Sequence, residues 1–186
     1  MINNEDLEFI YYLFNENIII SKVYMVAMYY QQSFRKIKHF KTCPAYGNIR
    51  VDGGKEIDKF EVIIDANKDY NNIINNLSQE DIDLLDKFVG VEISYKTVIT
   101  KNKDYQKIIN RLVYVLINLM IIIKQKLNII FDIDDYRFIL KHFIKHDSVD
   151  FVAKQTTLAP NTIRKILSSD DFIYSNLKKL LDYYHI

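Results

Sequence analysis

The side chains best suited to chemistry in this 186-residue chain lie on one polar helical face near the C-terminus. Asn161, Thr162, Arg164, Lys165 and Ser168 fall on the outward side of a short segment whose inward side is Ile163, Ile166 and Leu167. Amide, hydroxyl, guanidinium and ammonium groups so placed can reach phosphates and base edges in a DNA major groove. The preceding segment puts Val152, Ala153 and Thr156 on one face, and Leu158 follows in a tight polar connection. This is the pattern of a helix-turn-helix. Ala153 is small enough for one helix to cross the other, and Pro160 suits a first helical turn, where its missing N–H has no intrahelical partner anyway. Lys154, on the first helix, is positioned to hold the DNA backbone. Thr157 occupies the turn position that commonly holds Gly, which makes a positive φ costlier. Ala159 is a poor N-cap.

No catalytic constellation emerges elsewhere, and no enzyme activity is expected. The acids sit at helix starts and in the Asp132–Asp135 cluster, where capping and solvation account for them. Asp58-Lys59 and Asp86-Lys87 read as helix-surface pairs. Gly53-Gly54-Lys55 is not a phosphate loop, since no Ser or Thr follows the lysine and the first glycine of that motif is absent. His39-x-x-x-Cys43 and His142-x-x-x-His146 each place two zinc-type ligands one helical turn apart. Pro44 follows Cys43 and nothing brings the two pairs together, so neither metal nor cofactor is expected. Cys43 has Lys41 nearby but no base to activate it. A second basic run, with Arg35, Lys36, Lys38 and Lys41 interleaved with Tyr29, Tyr30, Phe34, Phe40 and Tyr46, lies within residues 22–55. It can track a nucleic-acid backbone or meet an acidic partner, and the plainer reading is a solvated face over aromatics.

Composition narrows the class. Net charge is +1, so no global field draws the chain to nucleic acid and any basic footprint is local. Hydrophobic residues make up 49 %, and only 4 Gly and 2 Pro interrupt them, which favours helices with short connections. One cysteine excludes an internal disulfide and fits a reducing cytoplasm. The acids near the N-terminus are the wrong sign for a secretory signal. The apolar run from Leu112 to Ile123 is too short to span a bilayer, so no membrane partner is expected.

The elements that must position the polar face follow from periodicity. Glu5 to Tyr30 reads as helical with a break near Asn15–Asn17, its acids clustered early, as suits a helix N-terminus. Residues 42–55 are irregular. A small β-hairpin near 48–64, through Asp52-Gly53-Gly54, is one option, and a loop leading into a helix from Glu56 is preferred. Ser78-Gln-Glu-Asp81 is a capping signature opening a short helix that Gly90 ends. Residues 91–100 fit a strand or a short helix alike. From about Asp104 to Phe131 the apolar pattern is longest. Ile109, Val113, Leu116, Met120, Ile123 and Leu127 form a heptad seam, readable as the spine of a core or as the seam of a homodimer. A last helix, Phe172 to Tyr184, turns Ile173, Leu177, Leu180 and Leu181 inward. The architecture expected is mainly α: an N-terminal helical part (1–103), a central, dimerising hydrophobic helix (104–131) and a C-terminal helix-turn-helix (132–186).

Two stretches resemble known families. Residues 136–168 are similar to the C-terminal DNA-binding part of sigma factors and related helix-turn-helix regulators. A helix Tyr136-Arg-Phe-Ile-Leu-Lys-His-Phe precedes Ser148-Val-Asp-Phe-Val-Ala, and Leu158-Ala-Pro-Asn-Thr-Ile follows. Pro44 through Phe88 resembles the middle of small late-gene and autolysin regulators carried by phages of Gram-positive bacteria, through Val51-Asp-Gly-Gly-Lys55, a long helix and Leu77-Ser-Gln-Glu-Asp. In that family the DNA-reading hairpin would follow at once, around Ser94 to Leu116, whereas the cleaner motif here comes some fifty residues later. Together the resemblances imply a regulator of a phage or mobile element, acting in the cytoplasm of a bacterial host. Its expected partners are double-stranded DNA and a second copy of itself. The rival expectation is a phage-encoded inhibitor, such as an anti-CRISPR or host-takeover factor, that grips a host protein and keeps the helix-turn-helix only for autoregulation. Residues 141–186 carry seven Lys/Arg against five Asp, too weak a charge for tight binding by a lone module.

Overall fold

Few helix breakers and long apolar stripes produce a mainly α-helical protein. The computed structural model describes residues 8–42, 49–50, 56–57, 67–68, 70–101, 103–169 and 171–186, with backbone alone at 39–42, 49–50 and 56–57. The chain divides into two compact units, Met1–Ile123 and Lys124–Ile186. This differs from the three-part division expected at 103 and 131. The central helix groups with the N-terminal elements, and Phe131 meets Tyr136 edge-on at 5.6 Å in the C-terminal unit.

In the first unit, α1 (Phe9–Asn15) and α2 (Ser21–Thr42) are separated by a break in which Asn17 adopts φ 55°. The break falls where the asparagines predict it, but α2 continues well past Tyr30. Of the early acids, Glu8 stands at the N-cap of α1 without a side-chain cap bond and Glu16 at its C-cap, while Glu5 and Asp6 lie outside the described residues. Glu8 instead accepts a hydrogen bond from Gln31 Nε2. The short hairpin forms, with β1 (Ile49–Arg50) antiparallel to β2 (Glu56–Ile57) and Ile49 opposite Ile57. A helix starting at Glu56 is therefore wrong, because that backbone is in the ladder. The first helical residues described beyond it are 67–68 and 70–74.

Ser78 caps α3 (Gln79–Leu85) as its sequence announces, its side chain accepting from the Asp81 N–H at 3.2 Å. The helix then widens into a π-turn, Asp86–Gly90, that packs on α2. Polar side chains from α2 hold this turn. Tyr30, fully buried, donates to Asp86 Oδ1 at 2.5 Å, and Tyr70 donates to the same oxygen at 3.0 Å. Burial and the bond to Asp86 push the Tyr30 phenol far above its ordinary range. Gln31 Nε2 reaches the Val89 carbonyl at 3.0 Å, so a buried backbone acceptor of the π-turn is satisfied. Gly90 is required by proximity, since a Cβ there would lie 2.6 Å from Phe34 Cδ1, in a ring that is itself buried. Gly90→Ala is expected to cost about 1–3 kcal/mol by overpacking, read as a lower urea midpoint with an unchanged slope.

The open choice over residues 91–100 resolves to a helix, α4 (Tyr95–Lys101), preceded by a single bridge between Ser94 and Glu8. Tyr95 stacks on Tyr12 with ring centres 3.5 Å apart, tying α4 to α1. Next, α5 (Tyr105–Ile123) packs on α2 and α3. Its seam residues Ile109, Val113, Leu116, Met120 and Ile123 are all buried within the chain. The dimer-seam reading of these five is therefore corrected: the face a partner helix would need is used by the protein's own core. Leu127 is not on the helix at all, because α5 ends at Ile123. At mean hydropathy 1.6 this helix is long and apolar enough to cross a membrane by length and composition; half of it is buried within the chain, while Lys107, Asn110, Arg111 and Ile122 are exposed. Over Ser94–Leu116, where the resemblance to late-gene regulators would put a DNA-reading hairpin, α5 turns Ile109, Leu112, Val113, Val115 and Leu116 into the core and leaves Lys107, Asn110 and Arg111 exposed.

Candidate nucleic-acid interface

The second unit begins with a turn that Asn128 closes at φ 51°, where the Ile129 N–H bonds the Lys124 carbonyl at 2.8 Å. Asp132 then starts α6 (Ile133–Asp147) with a reciprocal capping box. Its carboxylate accepts from the Asp135 N–H at 2.9 Å, and Asp135 accepts from the Asp132 N–H at 2.8 Å. The acidic cluster is thus a helix start. A single residue, Ser148 at φ 73°, ends α6 and caps α7 (Val149–Thr156), accepting from the Phe151 N–H at 3.4 Å.

Three residues link α7 to α8 (Pro160–Ser168). Thr157, the first, lies in the left-handed region at φ 59°, the conformation that its place in the turn demands. Ala159 makes no side-chain cap, and Pro160 occupies the first turn. Val152, Ala153, Thr156, Leu158, Ile163 and Ile166 are buried as the periodicity predicts. All but Thr156 join Leu140 and Ile144 of α6 and Leu177, Leu180 and Leu181 of α9 (Tyr174–Tyr184) in one core. Ile173 departs from expectation. It stands at the N-cap of α9 and is 68 % exposed, because the helix starts two residues later than its apolar pattern. Thr157 is exposed and its strain is unshared, so Thr157→Gly is expected to stabilise this unit by about 0.5–1 kcal/mol. A higher melting temperature for the Gly variant, with none for Thr157→Ala, checks it.

The six predicted contact residues all lie on α7 and α8. Lys154, Asn161, Arg164, Lys165 and Ser168 are exposed, and Thr162 is half-buried. Their hydrogen bonds differ in what they leave available. Arg164 Nη1 donates to Asn161 Oδ1 at 2.9 Å. The Ser168 hydroxyl donates to the Arg164 carbonyl at 2.8 Å, so it is turned back on its own helix. Lys165 Nζ is 3.4 Å from Asp171 Oδ2, an ion pair in solvent that is worth little and easily exchanged. No acid lies on α8 itself.

Sequence reasoning missed Arg137. From α6 its Nε donates to the Ile166 carbonyl at 3.1 Å and its Nη2 to the Ser169 carbonyl at 2.6 Å. Nη1 meets Asp134 at 3.2 Å, and the guanidinium lies 5.3 Å from the centre of the Phe172 ring. This cation closes the C-terminal end of α8, where free carbonyls and the helix dipole both favour it. Tyr184 donates to Asp147 at 3.1 Å, fastening α9 to the end of α6.

The other flagged residues behave differently. Burial lowers the His142 pKa, and its Nδ1 faces the Phe138 carbonyl at 2.9 Å, while His146 Nδ1 is 3.0 Å from Asp147. His39 and Cys43 of the other pair lie outside the described side chains. Among the described residues no three His, Cys, Asp or Glu side chains gather. In the second basic run, Arg35 is paired with Glu92 at 2.5 Å and Lys38 lies 4.7 Å from the centre of the Phe34 ring, leaving Lys36 as a plainly exposed cation. The Lys41 side chain lies outside the described residues. No known protein-family model, curated protein or solved structure matches this chain, so its own side chains carry the functional reading.

Proposed function

We propose that this protein is a sequence-specific, double-stranded-DNA-binding regulator of a phage or mobile element, with α7 and α8 forming a helix-turn-helix. The observation that carries the reading is α8. One face is sealed into the core by Ile163 and Ile166, and the opposite face presents Asn161, Arg164 and Lys165 with no acid among them. A short three-residue connection places such a helix across its predecessor, the arrangement that lets the second helix enter a major groove. Lys154 on α7 supports the backbone contact. The unit is only weakly basic, so tight binding calls for a second copy on an adjacent half-site. That contact uses a surface other than the α5 seam, whose residues are spent on the core. The protein acts as a regulator without catalysis, in the cytoplasm of a bacterial host.

Genomic duplex selection with the full chain over a salt series tests this. Arg164→Ala/Lys165→Ala is expected to weaken binding to the selected site on the order of 10²-fold, with a shallower salt slope. An unchanged, salt-insensitive curve for the double variant would remove α8 from the interface. The rival, a host-protein inhibitor, is favoured by Ile173 and Tyr174, each 68 % exposed. Capture of a host protein that survives nuclease treatment, together with no selected DNA site, would move the assignment to it.

A further inference from the structure

On α8, Asn161 and Arg164 are three residues apart and therefore neighbours on one face. Their hydrogen bond has a direction that matters: the guanidinium donates and the amide oxygen of Asn161 accepts. An asparagine reads adenine in the major groove through both ends of its amide, the oxygen accepting from N6 and the nitrogen donating to N7. With one lone pair of Oδ1 engaged by Arg164, the donor end of Asn161 is the part left wholly free for a base. The rest of Arg164 is donors, and Lys165 and Lys154 add ammonium donors on exposed positions. Ser168 has already directed its proton to the Arg164 carbonyl. The face offered outward therefore has more donors, on Arg164, Lys165 and Lys154, than acceptors, which are the second Oδ1 lone pair of Asn161 and the hydroxyl oxygens of Thr162 and Ser168.

Base edges are unequal partners for such a face. Guanine presents two acceptors, O6 and N7, while adenine presents N7 beside the N6 donor, which would meet another donor. Resting on the DNA-binding reading above, we infer that Arg164 specifies a guanine in the major groove and that Asn161 is its positioning residue rather than a reader of adenine. The bond to Asn161 limits the rotamers of a long side chain before it meets DNA, which lowers the ordering cost of the contact.

Selection from a random-sequence duplex library, with the full-length wild type and the Asn161→Ala and Arg164→Lys variants, tests this. The wild-type site is expected to contain a guanine that is preferred over adenine on the order of 10–100-fold. Arg164→Lys should erase most of that preference while binding to mixed-sequence duplex persists, because lysine keeps the charge but not the fork. Asn161→Ala should keep guanine as the preferred base but narrow the discrimination several-fold. An adenine preference in the wild type that vanishes in Asn161→Ala would overturn the inference and leave DNA binding standing. Equal weakening of all duplexes by both variants would do the same, by reducing the pair to phosphate contacts. A wild-type protein that selects no site rejects the DNA-binding reading and this inference together. Both residues are exposed and outside the core, so the variants fold as the parent does.

Discussion

Ile163→Ala is expected to cost the C-terminal unit about 3–4 kcal/mol, within the range for a fully buried isoleucine. Its side chain is completely excluded from solvent, in a core drawn from α6, α7, α8 and α9. Removing three carbons there loses both their transfer free energy and the contacts around the space left behind. A unit of this size holds a total of roughly 3–9 kcal/mol, so one methyl-lined gap takes a large part of it. Hydrogen exchange on α7 and α8 in the intact chain reads the effect directly. Protection there should fall by two to three powers of ten, while Ile163→Val loses about 0.5–1.5 kcal/mol. Protection within 0.5 kcal/mol of the parent would show that α8 is not seated on this core. Affinity for duplex should fall with stability, since the exposed face of α8 is only as ordered as the buried one.

Arg137→Ala is expected to cost about 2–3 kcal/mol. Its guanidinium makes two charge-assisted bonds to carbonyls at the end of α8, at a site where only 14 % of the side chain is exposed. Removing it leaves two acceptors half-buried without their donor and takes a cation from the negative end of a helix. The link to Asp134 adds little, because that carboxylate is 91 % exposed. Arg137→Lys should recover part of the loss, having charge but no planar fork to span two carbonyls. Thermal melting of the three proteins should therefore rank Arg above Lys above Ala. Equal melting temperatures would show that water satisfies the carbonyls as well as arginine does.

What the sequence made legible was local. Ser78 and Asp132 announce their helices because a cap and its N–H partners lie within three residues. The pair α7 and α8 was readable because its buried positions repeat at helical spacing and Pro160 marks a first turn. The end of α5 was not. Apolar periodicity carries on through Leu127 and Ile130, yet the helix stops at Ile123 and the chain turns through Asn128. Periodicity tells which residues are apolar, and the turn depends on one left-handed residue that a propensity scale scarcely registers. The heptad seam was ambiguous for a deeper reason: burial by α2 and α3 and burial by a partner helix ask for the same spacing. Arg137 was invisible because its acceptors are 29 and 32 residues away and are backbone atoms, which leave no mark on residue type. The same holds for Asn161, whose availability to a base is decided by which neighbour its oxygen faces.

The burial of α5 also bears on how the chain is made. Tyr105–Ile123 is the segment most prone to stick to other apolar surfaces, and the helices it packs against, α2 and α3, precede it in the sequence. At about 5–20 residues per second, both are synthesised seconds before α5 emerges from the ribosome. The greasiest helix therefore meets its docking surface as soon as it appears, and the C-terminal unit is made only afterwards. A full-length chain diluted from denaturant has no such order of arrival: every copy of α5 is exposed at once, to its own α2 and to its neighbours' alike.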